Sequence, residues 1–145
     1  MWLLYLFAIV AGIGNAFQSG VNSTLAKTLG QPFFAMLMVF GAGALVIVAV
    51  GIASGRFAVP GSFSDAPWWA WTGGFLAVLL LMSQLFVADS IGASAYLGII
   101  VVTGTLTSLV IDHFGLIGFD VHRLNLARII GGTLMAAGVL LIAIF

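Results

Sequence analysis

The sequence contains no cysteine and no glutamate, and its Lys, Arg and Asp residues number eight in 145. Without cysteine there are no disulfides, no thiolate-bound metal and no thiol chemistry. Four Lys/Arg balance four Asp, for a net charge of zero, so no basic run is present to hold nucleic acid or an anionic membrane surface. A soluble domain carries roughly 25% charged residues. This chain carries 6%, against 63% hydrophobic. So few charges cannot cover the surface of a water-soluble fold of this length, so the solvent is lipid. A β-barrel needs short strands of alternating polarity. The apolar stretches here are long and continuous, which leaves helices to satisfy the backbone in hydrocarbon.

The charges punctuate the chain. Residues 1–26 carry none, and Lys27 closes the stretch. No Lys or Arg precedes this apolar run, as a secretory leader would require, so it reads as a retained helix. Gly30-Gln31-Pro32 is a turn, because Gly ends helices and Pro starts them. The pattern predicts five transmembrane helices at about 2–27, 33–52, 67–88, 91–112 and 127–145, in a single domain. Each is close to the roughly 20 residues that cross a bilayer. The main loop, around Arg56, Pro60-Gly61 and Asp65, precedes Pro67 and the tryptophans Trp68, Trp69 and Trp71, placed where an interfacial belt is expected.

Five crossings put the termini on opposite sides. The N-terminal side holds Arg56, Arg123 and Arg128; the other holds Lys27. That is a weak lean toward a cytoplasmic N-terminus. So small a bias leaves room for insertion in both directions and an antiparallel pair.

Polar groups within the spans are costly and each needs a reason. Asn15, Gln18 and Asn22 recur at steps of three and four, on one face of the first helix. They are candidates to hydrogen-bond a substrate; the alternative is interhelical bonding. Gln84, in the third span, carries the same two readings. In the fourth span Gly98, Val101, Thr105, Ser108 and Asp112 form one stripe, and Tyr96, Thr103 and Thr107 lie on another face. Thr and Ser can bond back to their own helix. Asp112-His113 ends that helix, where a carboxylate opposes the macrodipole. Arg123 or Arg128 could offset it. The pair reads either as a proton-titrating site or as a capped helix end, and Asp89 reads as turn chemistry. Gly131 and Gly138 share a face of the last helix and suit close helix packing, within the chain or as an oligomer contact. No metal-ligand spacing, phosphate loop or nucleophile–base pair is present, so no cofactor and no enzymatic activity are expected.

Several segments resemble one family. They are Gln18-Ser-Gly-Val-Asn22-Ser-Thr-Leu-Ala-Lys27, Pro67-Trp-Trp-Ala-Trp-Thr-Gly-Gly74, Leu109-Val-Ile-Asp112-His113-Phe-Gly115 and Gly131-Gly-Thr-Leu-Met-Ala-Ala-Gly138. In order, they resemble the YdcZ-type five-helix branch of the drug/metabolite transporter superfamily. The resemblance implies a multi-pass protein of the bacterial inner membrane. It also implies that one chain is half of a ten-helix inverted-repeat assembly, completed by an antiparallel homodimer or by a sister chain. Small multidrug resistance proteins dimerise through a last helix similar to the Gly131/Gly138 face. Two departures stand out. Thr105 follows Gly104 where the family often has Gln, and the buried Glu of the small multidrug resistance proteins has no counterpart, so their proton exchange does not transfer.

The resulting expectation is a secondary transporter exporting a small metabolite or drug-like molecule by alternating access. Asn15, Gln18 and Asn22 would bind the substrate, with Gln84 and Thr105 as second choices. Trp71 and Tyr96 would stack on an aromatic or cationic group. The alternatives are a non-transporting scaffold or regulatory subunit, and a small channel.

Overall fold

The computed structural model of the chain describes residues 1–58 and 66–145. The expected loop residues Pro60, Gly61 and Asp65 lie outside the described residues. The long elements are α1 (Trp2–Leu29), α2 (Pro32–Ala53), α3 (Thr72–Ile91), α4 (Ala93–Phe114) and α5 (Leu126–Ile144). All five are long and apolar enough to cross a membrane. Helices α1 and α4 each run two residues past their expected ends. They stop where a glycine can take the left-handed cap: Gly30 and Gly115, both at φ +62°. The third span starts differently from expectation. Pro67 is extended, and Trp68–Trp71 form a 3-10 turn before α3 begins.

The chain divides into two compact units, Met1–Asp89 and Ser90–Phe145. In the first, α1 and α2 form a tight hairpin about Gly30-Gln31, with Pro32 opening α2. Helix α3 stands apart: no Cα atom of α3 comes within 8 Å of α1 or α2. Side chains fill that gap at one end only, where α1 ends, α2 begins and α3 ends. Ala26, Ala35, Met36, Leu81 and Leu85 form a buried cluster there. The rings of Phe33 and Phe86 lie beside it, 6.3 Å apart. At the opposite end the first thirteen residues of α1 are all exposed. Lipid, as apolar as these side chains, gives them little drive to pack together.

The second unit is packed more closely. Helices α4 and α5 approach through glycines. A Cβ on Gly98 would lie 2.8 Å from Val139 Cγ1, and one on Gly132 would lie 2.9 Å from Leu106 Cδ2. The contact within the chain therefore uses Gly132, beside the Gly131 singled out in the sequence. A Cβ on Gly131 or Gly138 would enter open space. Thr103 Oγ1 donates to Ile99 O and Thr107 Oγ1 to Thr103 O, so both hydroxyls are satisfied along their own helix.

These clashes differ in kind. Val139 is β-branched and held to one rotamer in a helix, whereas the tip of Leu106 can turn aside. Gly98→Ala is expected to cost about 1–3 kcal/mol by overpacking and to lower the thermal midpoint in detergent. Gly132→Ala should cost less. Gly131→Ala and Gly138→Ala should leave the midpoint of the monomer unchanged.

Candidate functional site

A cavity of about 480 Å³ opens among α1, α2 and α3 of the first unit. Each wall is one helical face. Helix α1 contributes Asn15 and Gln18, one step of three apart. Helix α2 contributes Phe40, Gly43, Ala44 and Ile47, the spacing of a single stripe. Helix α3 contributes Ala77, Leu80 and Gln84, at steps of three and four. The two small residues of α2 make room. A Cβ on Gly43 would touch nothing within 4 Å, so the space beside it is empty.

The third amide of α1 has a different place. Asn22 is only 4% exposed and Gln84 5%. Asn22 Nδ2 donates to Gln84 Oε1 at 2.7 Å, bridging α1 and α3. Asn15, half-buried, and Gln18, exposed, turn toward the cavity, while Asn22 holds the residue that lines it. One to two turns further on, Lys27 Nζ donates to Asp89 Oδ1, and Ser23 Oγ reaches the same oxygen at 3.5 Å. Asp89 lies within α3 and acts as a partner for Lys27 rather than as turn chemistry. The cavity is thus closed at this end by the apolar cluster and two polar cross-links.

The other candidates fall elsewhere. Trp71 sits in the 3-10 turn, 61% exposed, and does not line the cavity. Tyr96 is buried and Thr105 half-buried, both on α4 in the second unit.

Asp112 and His113 fasten the connection between α4 and α5. The Arg128 guanidinium lies 3.8 Å from Asp112 Oδ2 and donates to His122 O at 3.2 Å. Of the two arginines considered from sequence, Arg128 makes the pair. His122 N donates to Asp112 O at 2.8 Å, and Leu124 N donates to His113 Nδ1 at 3.1 Å. Asn125 caps α5 by accepting from Arg128 N at 2.9 Å. His113 Nδ1 must be unprotonated to accept from Leu124, so the ring carries its proton on Nε2. Among the described residues no group of three His, Cys, Asp or Glu could hold a metal ion.

Sequence reasoning missed the α2 wall, because that helix has no polar residue to draw notice. The available signal was Gly43-Ala44, two small residues on a face otherwise bounded by Phe40 and Ile47. It also missed Lys27 with Asp89. After an odd number of crossings the ends of α1 and α3 share a side, and these are the charges at those two ends.

Five membrane-length apolar helices, with an amide-lined cavity among the first three, define a multi-pass helical membrane protein. Residues 3–141 match the model of the family described as "Putative inner membrane exporter, YdcZ", and the chain belongs to that family. It is a protein of the inner membrane, in a family described as an exporter. No curated protein and no solved structure matches the chain.

Asn22→Leu leaves the buried amide of Gln84 unpaired, whereas Asn22→Leu with Gln84→Leu removes both partners. The double variant is therefore expected to lose less stability than the sum of the single ones. The coupling should be about 0.6–1.7 kcal/mol, read from a double-mutant cycle of thermal or denaturant unfolding. Lys27 and Asp89 are half-exposed or more. Breaking that pair should cost about 1 kcal/mol at most, and the Lys27→Asp with Asp89→Lys exchange should restore it.

Proposed function

We propose that this protein is a small secondary transporter that exports a small metabolite or drug-like molecule, with its substrate site in the cavity of α1, α2 and α3. The observation that carries this reading is the pairing of shape and chemistry in that cavity. Its volume of about 480 Å³ lies within the roughly 300–1,000 Å³ typical of small-molecule sites. Its wall is mostly apolar, with Asn15, Gln18 and Gln84 as the polar groups. That is the usual composition of a ligand pocket, with a few polar groups to fix orientation.

Membership of an exporter family supports the same reading. The scaffold alternative has one observation in its favour: Asn22–Gln84 is the bond that helix glue requires. Asn15 and Gln18 point the other way, since glue residues would bond a neighbouring helix rather than face an empty cavity.

The proposed working unit is an antiparallel dimer that rocks between inward and outward access. An odd number of spans and a Lys/Arg bias of three to one support it, and the open space beside Gly131 and Gly138 leaves a face for a second chain. Tyr96 and Thr105 are proposed to join the site only in that assembly, and Trp71 to act as an interfacial residue.

Two measurements test this reading. Gly43→Leu should fill the cavity and abolish protein-dependent flux in liposomes, while Asn15→Leu and Gln18→Leu should lower it about tenfold or more, a loss of about 1.4 kcal/mol each. All three should leave the protein's abundance in the membrane unchanged; loss of assembly with unaltered flux would favour the scaffold. Reporters fused to the C-terminus should give signal from both sides of the membrane, and signal from one side alone overturns the antiparallel homodimer.

A further inference from the structure

The wall of the cavity offers hydrogen bonds but no charge. Asn15, Gln18 and Gln84 are its polar groups, and among the described residues none that lines it is ionisable. The charged residues described in this unit lie elsewhere. Lys27 and Asp89 pair with one another at the closed end. Arg56 lies beyond the end of α2, outside the wall.

An ion entering this space would give up its hydration for amide dipoles alone, and no opposite charge would offset the loss. A neutral molecule loses far less on leaving water. An amide can match it as donor or acceptor, and the apolar remainder of the wall receives the rest. The Asn22–Gln84 bond adds a direction. Gln84 Oε1 accepts from Asn22, so what Gln84 offers the cavity is its NH2 group, which only donates.

We infer that the site selects an uncharged molecule with an apolar body and a polar head that presents an acceptor oxygen, a carbonyl or hydroxyl, to Gln84, with Asn22 as the residue that positions this amide. The inference rests on the cavity being the substrate site. The molecule itself moves no charge, so the membrane potential, worth about 2.3 kcal/mol per elementary charge per 100 mV, acts on its passage only through an ion coupled to it.

Benzamide, benzoate and benzamidinium test the selection, because they share a ring and a planar head of similar size but carry no charge, one negative and one positive charge. Binding to the purified full chain in lipid nanodiscs is measured by calorimetry, with empty nanodiscs subtracted. Benzamide is expected to bind about tenfold or more tightly than either ion, a difference of about 1.4 kcal/mol. Gln84→Glu keeps an acceptor for Asn22 and should turn the preference to benzamidinium. Gln18→Glu should do the same from an exposed position that folding does not depend on. Either ion binding the wild type as tightly as benzamide overturns the inference. So does benzamide binding no better than to empty nanodiscs, or a preference that neither substitution moves.

Flux of the three probes separates this inference from the reading it rests on. Benzamide bound but carried no faster than through empty liposomes would overturn transport and leave the selection standing. An ion carried in a way that depends on Gln18 would leave transport standing and overturn the selection.

Discussion

Within a membrane the hydrophobic effect cannot distinguish a neighbouring helix from the lipid tails around it. What remains to hold helices is close packing and polar bonding, and this chain uses both. In Met1–Asp89 the link between α1 and α3 is polar. The Asn22–Gln84 bond spans a gap too wide for the backbones to touch, and Lys27–Asp89 repeats the link nearer the helix ends. Because long side chains make the bridge, the helices stay apart beside it and a cavity is left. The amide that anchors the helices and the amide that lines the cavity are partners in one bond. Structure and proposed function therefore share a single constraint.

Small residues serve two opposite ends. Gly98 and Gly132 let α4 and α5 approach until a methyl group would collide with Val139 or Leu106. Gly43 and Ala44 in α2 do the reverse, since α3 stands away and nothing fills the space they leave. The residue type is the same, and what stands opposite decides whether it yields contact or a cavity. The same holds for the polar residues of α4 and its end. Thr103 and Thr107 spend their hydroxyls on their own helix. Asp112 and His113, read from sequence either as a capped helix end or as a titrating pair, hold the turn into α5 through Arg128, His122 and Leu124.

Much of this was legible from residue order. Eight charges in 145 residues forced a lipid environment, and hydrogen bonding of the backbone in hydrocarbon forced helices. Charges, glycines and Pro32 marked where the helices end, to within a few residues. Spacing alone put Asn15, Gln18 and Asn22 on one face. What spacing could not supply was the opposite wall. A helical period tells which residues share a face, but the groups that meet that face come from another helix, and their register depends on tertiary packing. Only the tertiary structure decided that Asn22 turns to Gln84 while Asn15 and Gln18 turn to the cavity, that α2 supplies a wall without a polar residue, and that Lys27 finds Asp89. Sequence determined the solvent, the five helices and the inventory of polar groups, because those follow from local chemistry. The division of that inventory between holding helices together and facing open space was set by distances between helices, which no single helix encodes.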